Sequence, residues 1–344
     1  MRCPLGLVFD SARHLVGRRL RGERRFPLVL SLDLMGGCAT SSAGSDTATV
    51  TSERRMLSVE QCLAAIEECN TPLVAICGAE PLEYPGIAVL TREILERGHH
   101  LILCTAGTLI RRRMHMIPPY TSFFWNVKLD GTDAVHDGRA KQAGLFVEAL
   151  DGIKAAKNGG FFVVVTSTIY PDTDVEDLAA LYEQLHGMHV DGYLLSPHYP
   201  QEKLCREGSA KFHEKMHQRF REASERLDDY NLMVSPIYLE YLRGERELEC
   251  SVWGGPLYGS QGWARPCSML KIGFAKSYKA LLEETIWENY GRGLNPPCEN
   301  CECYAGFETA AILGVNPKAG DMWKLLAWQL SGSLGEKRAG NRKT

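Results

Sequence analysis

The chain has 344 residues, 44% of them hydrophobic, and a formal charge of −3. That is enough for one large core or two smaller ones, with no basic excess for binding nucleic acid. No apolar stretch reaches transmembrane length, and the segment 1–9, broken by Pro4 and Gly6 and followed by arginines, does not read as a secretory signal, so a cytoplasmic location is expected.

In chain order, residues 5–25 carry an apolar stripe with a strongly basic second half, the pattern of a short amphipathic helix. Two roles are open to it: a solvated helix capping the floor of the fold, or peripheral contact with an anionic membrane surface. From residue 27, strand-like runs at 27–34, 73–77, 101–104, 122–129, 161–168 and 191–196 alternate with helical patterns at 59–68, 87–97, 109–116, 145–157 and 175–188. Continuous apolar runs such as 161–165 (FFVVV) mark parallel strands buried on both faces. Six βα units in a row predict an α/β fold, barrel-like or doubly wound, with its active site at the carboxyl ends of the strands.

Residues 207–229 predict a long charged helix. Residues 236–311 are rich in Gly and Pro and hold Cys250, Cys267, Cys298, Cys301 and Cys303, which predicts a separate cysteine-rich module. In a reducing compartment, such crowding among twelve cysteines points to metal or iron–sulfur ligation rather than disulfides. Residues 322–330 (MWKLLAWQL) predict a short apolar helix, either a packed lid or a surface anchor, and 332–344 are expected to be disordered. The expected plan is a helix at 1–26, the α/β domain at 27–235, the cysteine-rich module at 236–311, and a helix with a tail at 312–344.

At the predicted strand ends stand Cys38, Ser42 and Ser45 after the first, Gly78-Ala79-Glu80-Pro81 after the second, Cys104-Thr105 after the third, Lys128-Leu129-Asp130-Gly131 with His136-Asp137 after the fourth, and Ser196-Pro197 at the sixth. With Arg25-Phe-Pro-Leu-Val-Leu, Leu57-Ser-Val-Glu-Gln-Cys62, Gly262-Trp-Ala-Arg-Pro-Cys267 and Cys298-Glu-Asn-Cys301, in this order and spacing, the chain resembles the radical S-adenosylmethionine (SAM) superfamily and, within it, the adenosyl hopane synthases, over roughly residues 5–330.

The resemblance implies a partial (βα)6 TIM-like barrel. In that family three cysteines spaced CxxxCxxC hold a 4Fe–4S cluster whose spare iron chelates SAM and cleaves it to a 5′-deoxyadenosyl radical. The matching positions here are Cys38, Ser42 and Ser45: the spacing survives but two of the three thiolates do not. A hydroxyl is a hard ligand that scarcely ionises near neutrality, whereas iron–sulfur clusters want thiolates. The expectation is a SAM-binding enzyme that has lost the radical-generating cluster and uses SAM by a polar route, transferring a group to an apolar, terpenoid-like small molecule.

Gly78-Ala79-Glu80-Pro81 resembles the family's GGEP motif, in which Glu80 would face the SAM ammonium, and Asp130 would accept from ribose hydroxyls, with Ser196 beside them. Candidate bases are Glu80, Asp130, His136 and Asp137, of which His136 alone titrates near neutrality when unperturbed. The bland alternatives are a βα turn capped by Glu80 and a hydrogen-bonded loop pair at His136-Asp137. Cys250, Cys267, Cys298 and Cys301, with Cys303 as an extra candidate, resemble an auxiliary-cluster module of SPASM or twitch type, suited to 4Fe–4S or zinc. Buried thiols without metal are the alternative.

Three other functions stay open: a non-catalytic relative acting as a partner subunit, an orthodox radical enzyme with an abnormal cluster (Cys77 and Cys104 as substitute ligands), and a zinc peptidase. The last rests on His213-Glu214-Lys215-Met216-His217, an HExxH pattern, with Glu240 in range as a third ligand.

Overall fold

Each of six strands presents one apolar row to the surrounding helices and a second row to the inside of a curved sheet. The computed structural model describes residues 2–36, 56–198, 209–291, 294–299, 301–314 and 318–341, with backbone alone for 209–210 and 332–341. The strands are β1 (Val29–Asp33), β2 (Leu73–Cys77), β3 (His100–Thr105), β4 (Phe123–Lys128), β5 (Phe162–Ile169), β6 (Gly192–Pro197), β7 (Leu257–Gly259), β8 (Gly262–Arg265) and β9 (Gly273–Ala275). The helices are α1 (Leu5–Leu20), α2 (Val59–Cys69), α3 (Ile87–Glu96), α4 (Ile110–Arg113), α5 (Asp133–Ala140), α6 (Leu145–Asn158), α7 (Val175–Gly187), α8 (Ser209–Arg226), α9 (Pro236–Leu242), α10 (Tyr278–Glu284), α11 (Tyr304–Leu313) and α12 (Asp321–Asn341).

One sheet runs in the order β6-β5-β4-β3-β2-β1-β7-β8-β9. Strands β1 to β6 are parallel and sequential, the arrangement of a partial (βα)6 barrel that does not close. The cysteine-rich region joins this sheet: β7 lies parallel to β1, and β8 and β9 follow antiparallel. Side-chain alternation sends Leu30, Leu32, Val74, Ile76, Leu101, Leu103, Trp125, Val163 and Leu195 outward into the core beneath the helices, all fully buried. Helix starts are pinned by side-chain caps: Ser58 with Gln61 in a capping box on α2, Asp174 on α7, Ser235 on α9 and Ser277 on α10. Each contributes about 1 kcal/mol.

The inward row is apolar at the amino end of the strands. There His100 stacks on Phe124, centroids 6.1 Å apart, and Phe124 meets Phe162 edge-on at 5.3 Å. α1 lies across this floor: His100 Nε2 sits 3.0 Å from Asp10 Oδ2, and a side chain at Gly6 would stand 3.4 Å from the His100 ring. Its outer face leaves Leu5, Phe9, Val16 and Leu20 exposed.

Several elements differ from expectation. His136 and Asp137 sit on a helix, α5, rather than in a loop. α8 ends at Arg226, short of the expected 229, and the final helix runs to Asn341, through the stretch expected to be disordered, where Leu, Glu, Lys, Arg and Ala favour helix. Among the described residues no helix is long and apolar enough to cross a membrane.

Glu308 of α11 is buried and accepts from Ser235 N at 3.0 Å and Ser235 Oγ at 2.8 Å, which ties α11 to the start of α9. Burial pushes its carboxyl from 4.5 up to about 7, against those two hydrogen bonds. A folded-state pKa above the unfolded one stabilises the fold at low pH, and the gain is lost as pH rises from 4.5 through about 7. Glu308→Gln, which keeps an acceptor for Ser235, should therefore be more stable than the unaltered chain at pH ~8 by on the order of 2–3 kcal/mol and indistinguishable from it near pH ~5. Urea unfolding at the two pH values checks this.

Candidate functional site

The inward row turns polar toward the carboxyl ends of the strands. Asn126 Nδ2 donates to Cys104 Sγ at 3.5 Å, and Thr166 Oγ1 donates to Asn126 Oδ1 at 2.7 Å, a ladder across β3, β4 and β5. Above it Lys128 Nζ pairs with Asp130 Oδ2 at 3.3 Å. Asp130 is buried and also accepts from Thr168 N at 2.8 Å and Tyr170 OH at 3.4 Å, so β4 and β5 are clasped where they end. Ser196 of β6 pairs in register with Thr168 and completes this side of the mouth. Lys128 is not among the expected site residues, although its i, i+2 spacing from Asp130 already puts both on one face of a strand.

Opposite stands the turn after β2. Gly78 has φ +113°, a conformation that favours glycine, and it turns the chain so that Glu80 meets the end of β3. Glu80 accepts from Thr105 Oγ1 at 2.8 Å, Ala106 N at 3.0 Å and Leu82 N at 3.1 Å, the last capping the 3-10 turn that starts at Pro81. The capping role and a ligand role are compatible, because a carboxylate offers about four acceptor sites and three donors are present. Burial raises the Glu80 pKa despite these bonds. Ala79 is half-buried and packs against the core.

His136 and Asp137 do different work. Asp130 N donates to His136 Nδ1 at 3.3 Å, which leaves the ring proton on Nε2. Burial lowers the His136 pKa against the pull of Asp130 and Asp137, so the imidazole is neutral with its acceptor nitrogen engaged. Asp137 accepts from Phe146 N at 2.9 Å and from Gly144 N, holding the start of α6, and these backbone donors, Phe146 first, lower its pKa. Cys38, Ser42 and Ser45 lie outside the described residues.

A second concavity is lined by the segments that flank β7 and β8 in the chain, together with residues between 287 and 307. Cys250, Cys267, Cys298, Cys301 and Cys303 line one cavity, walled by aromatic and apolar side chains. Burial, then the neighbouring thiols, pushes Cys250 well up, and burial takes Cys267 to about 12. Cys303 and Cys298 are the thiols that act on both, so Cys303 belongs to the same wall as the predicted four. Leu270 N points to Cys267 Sγ at 3.4 Å, an N–H···S contact of the kind that tunes cluster thiolates. Gly306 leaves room for a sulfur: a Cβ there would stand 2.6 Å from Cys250 Sγ.

Four-coordinate zinc with Zn–S bonds of about 2.3 Å would set its thiolates roughly 3.8 Å apart. Among the described residues no three of these thiols come within 4.8 Å of one another. Glu240, the expected partner of the HExxH histidines, instead pairs with Lys324 and stands 3.6 Å from Arg246. The carboxylate beside His213 and His217 is Glu302.

Residues 37–185 match the model of the radical SAM superfamily, and residues 193–325 match that of a domain of unknown function, DUF3463. No curated protein matches the chain. Among solved structures, SuiB of Streptococcus suis bound to precursor peptide SuiA superposes with a TM-score of 0.62 at 13% identity, over 86% of this chain and 75% of that one. SuiB bound to S-adenosylmethionine gives 0.60 at 14%, over 82% and 70%. Native anSMEcpe with bound AdoMet gives 0.55 at 14%, over 92% and 100%. At these identities the likeness establishes a shared fold.

Proposed function

We propose that this chain, which carries a radical SAM superfamily domain, binds SAM at the mouth of its open barrel and uses it by a polar route, as a transferase without the radical-generating cluster. The observation that carries this reading is the run Cys38-Ala-Thr-Ser-Ser42-Ala-Gly-Ser45. One thiolate and two hydroxyls are a poor set for a cubane that needs three soft protein ligands.

The mouth fits the ligand by its donor set. Glu80 keeps an acceptor site for an ammonium, and Asp130, Lys128 and Ser196 offer a charged and hydroxylic wall for a ribose and a carboxylate. SuiB and anSMEcpe, which share the fold, are seen with SAM bound. When bound, SAM supplies a sulfonium, an electrophile beside three carbons. Of the four candidate bases, His136 and Asp137 are spent on holding α5 and α6 in this reading, which leaves Glu80 and Asp130 facing the ligand. Calorimetric titration with SAM should show one site per chain, weakened at least ~10-fold in Glu80→Gln, since a charge-assisted hydrogen bond is lost. No heat at millimolar SAM would discard the reading.

We also place an auxiliary 4Fe–4S cluster in the cysteine cavity, held by Cys250, Cys267, Cys298 and one of Cys301 and Cys303. Iron retained after anaerobic reconstitution should disappear in Cys267→Ser.

For the acceptor we keep an apolar, terpenoid-like small molecule, as the likeness to adenosyl hopane synthases suggests. A peptide is the competing class, since SuiB is seen with precursor peptide SuiA and anSMEcpe with a Cp18Cys peptide. An apolar acceptor sits well with peripheral membrane contact. Leu5, Phe9, Val16 and Leu20 form one exposed stripe on α1, beside the exposed Arg13. α12 exposes Met322, Trp323, Leu326 and Leu330, and the segment leading into α1 meets α12 where Cys3 N donates to Gln329 Oε1 at 3.2 Å. Vesicles with anionic headgroups should co-sediment the chain, and the pair Phe9→Ser with Trp323→Ser should cut the bound fraction several-fold without changing its far-UV spectrum. Equal sedimentation of both proteins would argue against a membrane face.

A further inference from the structure

The charged helix α8 presents His213 and His217 one turn apart on one face. Met216 and Phe220 of the same helix are fully buried, so α8 is seated on the core rather than free in solvent. Across from the histidines runs the short stretch Cys301-Glu302-Cys303 that precedes α11. Alternation along this stretch turns the two cysteines toward their cavity and Glu302 the other way, toward α8.

Glu302 Oε1 lies 2.9 Å from His217 Nε2 and 3.3 Å from His213 Nδ1. One ligand atom from each of the three residues falls within 4.8 Å of the others, and this is the only such set among the described residues. Neighbouring ligands around a four-coordinate zinc with bonds of about 2.0–2.2 Å sit roughly 3.3 Å apart, so a small opening of the triangle seats an ion. We infer that His213, His217 and Glu302 form a binding site for a first-row divalent metal ion of the zinc class.

The surroundings hold the three ligands in place. Tyr238 OH donates to the Glu302 carbonyl at 2.6 Å and Tyr241 OH to the Cys301 carbonyl at 2.9 Å, so two tyrosines of α9 fix the backbone on both sides of the carboxylate. Gly244, with φ +74°, borders His217: a Cβ there would stand 2.5 Å from His217 Nδ1. His213 Nε2 is buried with no partner among the described residues. Two imidazoles and a carboxylate suit zinc, cobalt, nickel or ferrous iron, not calcium or magnesium, which want oxygen ligands alone.

The site is a clasp rather than a peptidase centre. Glu214, the residue that acts as base in a zinc peptidase, is exposed here, and the third ligand comes from the cysteine-rich region. The ion joins α8 to the strand of chain that carries Cys301 and Cys303.

The test uses the full chain, as purified and then treated with EDTA, titrated with cobalt(II) and separately with zinc. Cobalt should give visible d–d bands at one equivalent, without the strong near-ultraviolet bands of thiolate ligation, and zinc should raise the melting temperature. Glu302→Gln, which keeps an oxygen toward both rings, should bind at least ~10-fold more weakly and His217→Gln at least ~100-fold, because one of three protein ligands is lost. Far-UV spectra confirm that each variant is folded, and His213→Gln replaces either one that is not. Affinities equal to the unaltered chain in these variants, or no binding at all, would overturn the site.

Discussion

Converting Ser42 and Ser45 together to cysteine should raise the iron bound after anaerobic reconstitution by about four per chain, and should start the release of 5′-deoxyadenosine from SAM under dithionite. The unaltered chain should release none above background. The expectation rests on ligand chemistry: the CxxxCxxC spacing is intact at Cys38, Ser42 and Ser45, and only the donor atoms differ. Thiolates are soft, readily ionised and strongly preferred by iron–sulfur clusters, whereas alkoxides are neither soft nor available near neutral pH. Cys38→Ser in the unaltered chain should leave its iron content unchanged, while the same change in the double variant should abolish the gain. An unaltered chain that already releases 5′-deoxyadenosine would mean that other thiols, Cys77 or Cys104 among them, hold the cluster.

Removing Asp321 should cost about 3 kcal/mol of stability, the scale for breaking a buried ion pair from one side. Arg246 is 6% exposed, and its guanidinium grips Asp321 through two parallel bonds, Nη1 to Oδ1 at 2.8 Å and Nη2 to Oδ2 at 2.5 Å. Glu240, 3.6 Å away and shared with Lys324, is a weak substitute. Asp321→Asn leaves the buried Arg246 cation at the start of α12 with Glu240 alone as counter-charge. The double change Arg246→Met with Asp321→Leu should recover most of the loss, because a hydrophobic pair of similar volume replaces a buried ion pair at little net cost. Chemical denaturation of the single and double variants reads both numbers. A single change within ~0.5 kcal/mol of the unaltered chain would show the pair to behave as a surface bridge.

The barrel was legible because parallel strands buried on both faces are written as continuous apolar runs. β2 fell on residues 73–77 as expected, and the other five lay within two residues of their expected ends. Short or polar elements carry no such signal. β7, β8 and β9 are three or four residues long, below the length at which a period shows. α5 (DAVHDGRA) buries only His136, so it has no apolar stripe to read.

Gly78, Glu80, Asp130 and Ser196 could be placed at strand ends from the sequence, but their hydrogen-bond partners could not. The bonds from Thr105 to Glu80 and from Thr168 to Asp130 join residues 25 and 38 positions apart, contacts that only the barrel creates. Glu302 was missed for the same reason: it reaches the HExxH histidines from 85 and 89 positions away, while Glu240, nearer in sequence, faces Arg246 and Lys324 instead.

The most direct measurement is a crystal structure of the anaerobically reconstituted chain soaked with SAM, with iron located by anomalous scattering. The expected map shows SAM at the mouth with its ammonium toward Glu80 and iron only in the cavity of Cys250 and Cys267. Iron ordered beside the loop of Cys38, Ser42 and Ser45, chelated by the amino and carboxylate groups of SAM, would contradict the polar route.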